Sequence, residues 1–183
     1  QLRKLLENKS NPFAVIQSLW TLAGLGLLGA PAVLPLLQEN NEAIKSQALC
    51  VLPSLLDKTN YRTFLPFLET IISNNDSINA SYVAFLAHFI KPFNLERRNG
   101  LLIHLIKKYP NNKFVVDAVI SNLQDEETSW YKISTQLNPD TNLVINKRLR
   151  MVNNDKINAL NRNNAKKLEK DFPKGAKLFQ SVC

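Results

Sequence analysis

The sequence predicts an all-α protein, a right-handed α-solenoid of about four helical pairs with a C-terminal helical extension. Three observations carry that reading. Apolar residues recur at i, i+3, i+4 and i+7 spacing through most of the first 138 positions, the period of helices with a buried face. Similar core positions, Leu22, Leu52, Leu86 and Ile120, return at steps of 30, 34 and 34 residues, the repeat length of stacked helical pairs. No stretch alternates β-branched and polar residues as a half-buried strand would.

The stretch from Asn11 to Gly29, NPFAVIQSLWTLAGLGLLG, sets the pattern. Ile16, Leu19, Trp20 and Ala23 form its stripe, and Phe13, Val15, Leu22 and Leu25 widen it. Only Gln17, Thr21 and Gly24 form a narrow small or polar strip, which predicts a helix covered on most sides and ending near Gly29. Asn11 suits the cap, and Pro12 the first helical position, where its missing N–H costs nothing. Pro31 then opens a short partner ending at Gln38, with Val33, Leu34, Leu36 and Leu37.

The second pair begins at Asn41, with Ile44, Ala48, Val51 and Leu55 on one face. Pro53 removes a backbone hydrogen bond and crowds the Leu49 carbonyl, which predicts a kink. Its partner, Tyr61 to Ser73, has the cleanest stripe: Tyr61, Phe64, Leu65, Leu68, Ile71 and Ile72. The turn residues Asn74, Asn75 and Asp76 then lead to a third pair. Its first helix has Val83, Leu86, Ala87 and Ile90 as a core line, and its second has Leu102, Leu105, Ile106 and Tyr109. A fourth pair follows Pro110-Asn111-Asn112, with Val115, Ala118 and Val119, then Trp130, Ile133 and Leu137 before Pro139.

Beyond this point the chain turns basic and asparagine-rich, with sparse apolar spacing at Ile145, Leu149, Val152, Ile157, Leu160 and Leu168. The chain thus divides into a repeat domain, 1–138, a basic helical extension or connector, 139–172, and a short stub, 173–183, after Pro173. A helical stripe begins at once with Leu2, Leu5 and Leu6, and no methionine precedes it, which predicts a piece of a longer protein.

A hydrophobic fraction of 45% excludes a disordered chain, and no run of eighteen apolar residues predicts a membrane span. The net charge of +8 invites a nucleic-acid reading, but its distribution argues against one. Residues 1–140 carry 13 Lys/Arg against 12 Asp/Glu, whereas residues 141–183 carry 10 against 3. The repeat body is neutral, so no basic concave face is expected there.

No constellation of residues points to catalysis. Gly24, Gly26 and Gly29 fit G-x-G-x-x-G, but they end a helix instead of opening one after a strand, so they predict close helix packing and a helix stop. His88 and His104 have no carboxylate or cysteine at ligand spacing in their helices and read as structural or surface residues. Asp125-Glu126-Glu127 precedes the Trp130 helix, where the helix dipole favours acidic side chains. Cys50 and Cys183 form no C-x-x-C pair, so neither a zinc site nor a disulfide framework is indicated. Matches to the glycosylation acceptor pattern at Asn8, Asn75 and Asn79 are those expected by chance in an asparagine-rich chain.

Two stretches carry a resemblance to known families. Glu42-Ala43-Ile44-Lys45-Ser46-Gln47-Ala48-Leu49 resembles the HEAT repeat, and Ser18-Leu19-Trp20-Thr21-Leu22-Ala23-Gly24-Leu25-Gly26 looks like a more particular variant. That variant is similar to the HEAT-like region of bacterial membrane-bound dehydrogenase-like, or haem-binding CxxCH, proteins. The tail resembles the opening helix of a class I cytochrome c, with Gly175, Phe179 and Cys183 at its glycine, aromatic and first haem-cysteine positions. It departs from that family where it stops, since the second cysteine and the axial histidine are not in the sequence.

The resemblance implies a right-handed solenoid of HEAT-like pairs acting as a non-catalytic spacer between a quinoprotein-type dehydrogenase propeller and a cytochrome c domain. It implies haem c in the parent protein, with Cys183 as a thioether ligand, and a periplasmic or membrane-associated location. The alternative is a free-standing HEAT-type module that binds protein or nucleic acid, for which Trp20, Trp130 and the basic tail are the pertinent residues.

Overall fold

The structure, a computed structural model, describes residues 1–171. Within them are ten α-helices, one 3-10 turn and no strand, so the protein is all-helical as expected. The helices are α1 (Leu2–Glu7), α2 (Pro12–Gly24), α3 (Ala30–Leu37), α4 (Glu42–Val51) and α5 (Tyr61–Ser73). They continue with α6 (Ser77–Ile90), α7 (Leu95–Lys108), α8 (Lys113–Ser121), α9 (Glu127–Leu137) and α10 (Val144–Asp171).

The frequent asparagines act at the helix starts. The side chains of Asn11, Asn41, Asp76, Asn94 and Asn112 each accept a hydrogen bond from the backbone N–H three residues on, opening α2, α4, α6, α7 and α8. Each such cap satisfies a donor that the helix cannot, a contribution of about 1 kcal/mol.

Contacts sort the helices into two rows. Helices α2, α4, α6, α8 and α10 each touch the next of that series, and so do α3, α5, α7 and α9. Cross-row contacts join α3 to α4, α5 to α6, α6 to α7, α7 to α8 and α9 to α10. The core is continuous between the rows, from Leu6 to Leu149. Polar side chains stitch neighbours together: Tyr109 Oη donates to the Ile72 carbonyl at 2.9 Å, and Asn122 Nδ2 to the Ala84 carbonyl at 2.7 Å. Ser46 Oγ meets Asn79 Oδ1 at 2.7 Å, and the Ile145 N–H donates to the Pro110 carbonyl at 3.0 Å.

Four local expectations need correction. Helix α2 stops at Gly24, not near Gly29, and it is not covered on most sides. It buries Val15, Ser18, Leu19 and Leu22, while Phe13, Trp20 and Leu25 are 72%, 46% and 61% exposed. Gly24 and Gly26 do not mark close packing, since a Cβ on either would meet no atom within 4 Å. Gly26 instead turns the chain out of the helix at φ +67°, a conformation that suits glycine, with the Leu27 N–H returning to the Leu22 carbonyl at 2.9 Å. Pro53 does not kink a continuing helix: α4 ends at Val51 and passes into the 3-10 turn Leu52–Ser54, where no N–H at Pro53 is required. Last, Leu22, Leu52 and Leu86 are buried, but Ile120 is only half-buried.

The caps explain the last miss. Counted from Asn11, Asn41, Asp76 and Asn112, the equivalent core positions are Leu22, Leu52, Ala87 and Leu123, all buried. The spacings from cap to cap are 30, 35 and 36 residues, so Leu86 stands one residue and Ile120 three residues short of the positions that match Leu22 and Leu52.

The basic segment forms the single helix α10. Its first turns bury Ile145, Asn146 and Leu149, and Asn146 Nδ2 donates at 2.8 Å to the carbonyls of both Asn138 and Asp140, which ties the preceding loop down. Ile157 and Leu160, expected to pack, are 49% and 61% exposed. No helix among the described residues is long and apolar enough to cross a membrane.

Candidate functional site

Alignment on the caps brings a surface into register. The second helical positions of α2, α4, α6 and α8 are Phe13, Ala43, Ile78 and Phe114, all exposed. Seven residues on, at the ninth positions, stand Trp20, Cys50, Phe85 and Ser121. Residues 2, 6, 9 and 13 of a helix lie on one side by its 3.6-residue period, so these four helices show water a shared face. Phe114 at 80%, Phe13 at 72%, Ile78 at 56% and Phe85 at 51% are its most accessible large apolar members. Every exposed Phe or Trp among the described residues lies in this row.

The face is also nearly uncharged. Helix α2 contains no charged residue, and α6 contains only His88, which is exposed and meets Phe89 edge-on at 5.5 Å between ring centroids. Lys45 is paired with Asp76 at 3.2 Å, and Asp117 with Arg148 at 3.5 Å. Trp20 Nε1 donates to Gln47 Oε1 at 2.8 Å, linking α2 to α4 and leaving the indole ring facing out. Cys50 is half-buried here, and burial pushes its thiol pKa up, which makes it a weak nucleophile. The outer sides of α5, α7 and α9 contrast with this face, showing Arg62, Glu69, Glu96, Arg97, Lys107 and Lys132 to water.

A second cluster lies inside. Arg98 is fully buried in α7; its Nη1 donates to Glu126 Oε2 at 2.7 Å and to Asn99 Oδ1 at 2.9 Å, and its Nη2 donates to the Asn122 carbonyl. The guanidinium carbon stands 5.5 Å from the centroid of the Trp130 ring, a cation–π distance. Glu126 also accepts from Lys91 at 2.7 Å and from Trp130 Nε1 at 3.1 Å. Burial alone would raise the Glu126 carboxyl, but the hydrogen bonds from Lys91, Arg98 and Trp130 and the Arg98 charge hold it down at about 2. The cluster joins α6, α7, α8 and α9.

The acidic triplet does stand at the start of α9, with Glu126 at the cap and Glu127 in the first turn, and its side chains also make specific contacts. Asp125 takes a left-handed φ of 69° ahead of α9, Glu126 turns inward to Arg98, and Glu127, nearly buried, takes Lys156 of α10 at 2.8 Å. Its role is to fasten neighbouring helices. The buried Arg98 was not singled out by sequence reasoning; its sign was a basic residue on the apolar side of α7, with Leu101, Leu102 and Leu105.

The remaining sequence candidates do not converge. His104 is half-buried in α7, on a different helix from His88. Cys183, the expected haem-thioether residue, and its companions Gly175 and Phe179 lie outside the described residues. Among the described residues no group of three His, Cys, Asp or Glu side chains could hold a metal ion. Comparison of the chain with protein-family models, with characterised proteins and with solved structures yields no match.

Proposed function

We propose that this protein is a non-catalytic scaffold, a right-handed α-solenoid of about four HEAT-like helical pairs that holds flanking partners at a fixed separation. The observation that carries the reading is the nearest-neighbour stitching. Polar contacts between helical pairs join residues 24 to 38 apart in sequence, from Arg98–Asn122 to Asn122–Ala84, about one repeat length. A stack in which each unit grips only the next is stiff along its axis, unlike a glycine- or proline-rich linker. The row α2, α4, α6 and α8 is packed over more of its length than the row α3, α5, α7 and α9, as the inner side of an arc should be.

Spin labels at the exposed Ser10 and Ser129, in a protein with Cys50→Ser and Cys183→Ser, test the stiffness. The scaffold reading expects one narrow distance distribution, unchanged by moderate urea until unfolding. A broad distribution in the native state would falsify it.

A narrower form of the reading makes the protein a spacer between a dehydrogenase propeller and a cytochrome c domain outside the cytoplasm. It rests on the resemblance at Gly175, Phe179 and Cys183 and on the HEAT-like variant of α2. A natural protein in which Cys-His follows three residues after Cys183, and which shows a c-type haem spectrum lost or weakened by Cys183→Ser, is the expected result. A colourless protein leaves the scaffold without its redox role.

A further inference from the structure

The edge of the second row where α5 and α7 begin gathers donors and positive charge around one hydroxyl. Tyr61 opens α5 and is 3% exposed, with its ring stacked on Phe93 at 5.9 Å between centroids. Its Oη accepts a hydrogen bond from Arg62 Nε at 3.1 Å and another from Asn94 Nδ2 at 3.2 Å. Asn94 is also the cap of α7, and its Oδ1 accepts from the Arg97 N–H at 2.9 Å, which sets Arg97 in the first turn of that helix. The Arg62 guanidinium carbon lies 5.7 Å from the centroid of the Tyr61 ring.

Donors outnumber acceptors here. Two N–H groups point at Tyr61 Oη, and its own proton meets no acceptor among the described residues. Neither Arg62 nor Arg97, both exposed, pairs with a carboxylate among the described residues. Asp57, the acid nearest to Arg62 in sequence, is taken up by its own loop: its Oδ1 accepts from the Thr59 N–H at 2.6 Å and the Asn60 N–H at 2.9 Å. Glu69 and Glu96 share an outer groove with Arg97, yet the charges that act on the Tyr61 hydroxyl are those of Arg62 and Arg97. The hydrogen bonds from Arg62 and Asn94, with those two charges, hold its pKa below the usual tyrosine range against the effect of burial. Helices α5 and α7 add the positive ends of their dipoles, α5 without a side-chain cap.

A phosphate group matches what is unpaired. It carries about −1.5 to −2 charge at pH 7, which balances two guanidinium groups, whereas a carboxylate carries a single charge. Arginine forks and a hydroxyl proton reach its oxygens through charge-assisted hydrogen bonds, the stronger kind. We propose that Tyr61, Arg62, Asn94 and Arg97 form a binding site for a phosphate group at the joint between α5 and α7, independent of the scaffold role.

The test titrates sodium phosphate into the full chain at constant ionic strength, with chloride as the balancing ion. The Arg62 and Arg97 Nε–H signals in NMR should shift along one saturable curve. Tyr61→Phe should weaken binding about tenfold, the scale of one hydrogen bond to a charged group. Arg62→Gln with Arg97→Gln should weaken it about a hundredfold while circular dichroism stays native, because both side chains are exposed. Lys107→Gln with Lys108→Gln makes the same charge change at the other end of α7 and should leave binding unchanged. Phosphatidylcholine vesicles with and without phosphatidic acid distinguish the source. Binding of inorganic phosphate assigns a free ion, and binding of the phosphatidic acid vesicles alone, lost with the arginine pair, assigns a lipid headgroup; either result supports the site. The proposal is overturned if neither probe binds, if acetate binds as tightly as phosphate, or if folded Tyr61→Phe binds unchanged. It is equally overturned if the lysine pair matters as much as the arginine pair.

Discussion

Helices α5 and α2 are equal in length, thirteen residues each, and both bury one side against the same core, yet they treat water differently. In α5 the buried residues are Tyr61, Phe64, Leu65, Leu68, Ile71 and Ile72, and the exposed ones are Arg62, Thr63, Pro66, Glu69, Thr70 and Ser73. In α2 the buried side includes Ser18 and the exposed side includes Phe13 and Trp20. The same division runs through their rows, with polar outer sides on α5, α7 and α9 and aromatic ones on α2, α6 and α8. Folding demands only that one face of a helix leave water. The surplus apolar surface of the second row adds nothing to the core, and surplus of that kind is the usual mark of a surface that meets something else.

The largest effect that tests this contrast comes from cutting into the shared core. Phe64 in α5 is fully buried, and Phe64→Ala should cost ~3–5 kcal/mol in urea or thermal unfolding, by loss of transfer energy and the cavity left behind. Leu52→Ala and Leu123→Ala should each cost ~2–5 kcal/mol, and Ile120→Ala clearly less. If Ile120→Ala proved as costly as Leu123→Ala, the register set by the caps would be wrong.

That register shows how far the sequence could be read. The stripe of α5 was legible residue by residue, because a helix polar on one side leaves only one face to bury. The helix class and the break at Asn74–Asp76 were legible for the same reason. The face of α2 was not, since apolar residues surround it and periodicity cannot tell core from docking surface. Trp20, Phe13 and Leu25 were assigned to the interior on hydrophobicity alone, whereas Ser18, which is buried, was not. The signal that separates them was present in the caps. Asn11, Asn41, Asp76 and Asn112 fix the phase of each helix, and once aligned they put Phe13, Ile78 and Phe114 at one position. The Arg98–Glu126 cluster was less accessible, because its partners come from four helices and no local pattern joins them.

The cluster offers a test of intermediate size, confined to the α6–α9 end of the molecule. Glu126→Gln removes a charge from the buried Arg98. Breaking a fully buried pair costs ~3–5 kcal/mol, and about 2 kcal/mol is expected here because the Glu126 side chain is 32% exposed. The pH dependence follows from its pKa, lowered in the folded protein from 4.5 to about 2. A carboxyl depressed on folding contributes fully above its unfolded pKa, and that contribution fades as pH falls towards the folded value. The urea midpoint of the natural chain should therefore drop between pH ~4.5 and ~2 more steeply than that of Glu126→Gln. Parallel slopes would show that Glu126 is not tied to Arg98 in solution.

The smallest expected effect decides most about the aromatic row. Phe114, second in α8, has 80% of its surface in water, so unfolding changes its surroundings little. Phe114→Ser should alter stability by no more than ~0.5 kcal/mol, the range of surface substitutions away from packed features. Phe85→Ser, at 51% exposure, should cost slightly more, because half of the ring still rests on its neighbours. The pair is informative because the opposite outcome has a distinct meaning. A loss near that of Phe64→Ala would mean that these rings are buried in solution, by a second copy of the chain or by its own tail, and the midpoint would then depend on protein concentration in the first case only. Near-neutral values would leave five large rings in water without a stabilising purpose. The placement of Phe13 and Phe114 at one helical position, and of Trp20 and Phe85 at another, would then have to be explained by what they bind.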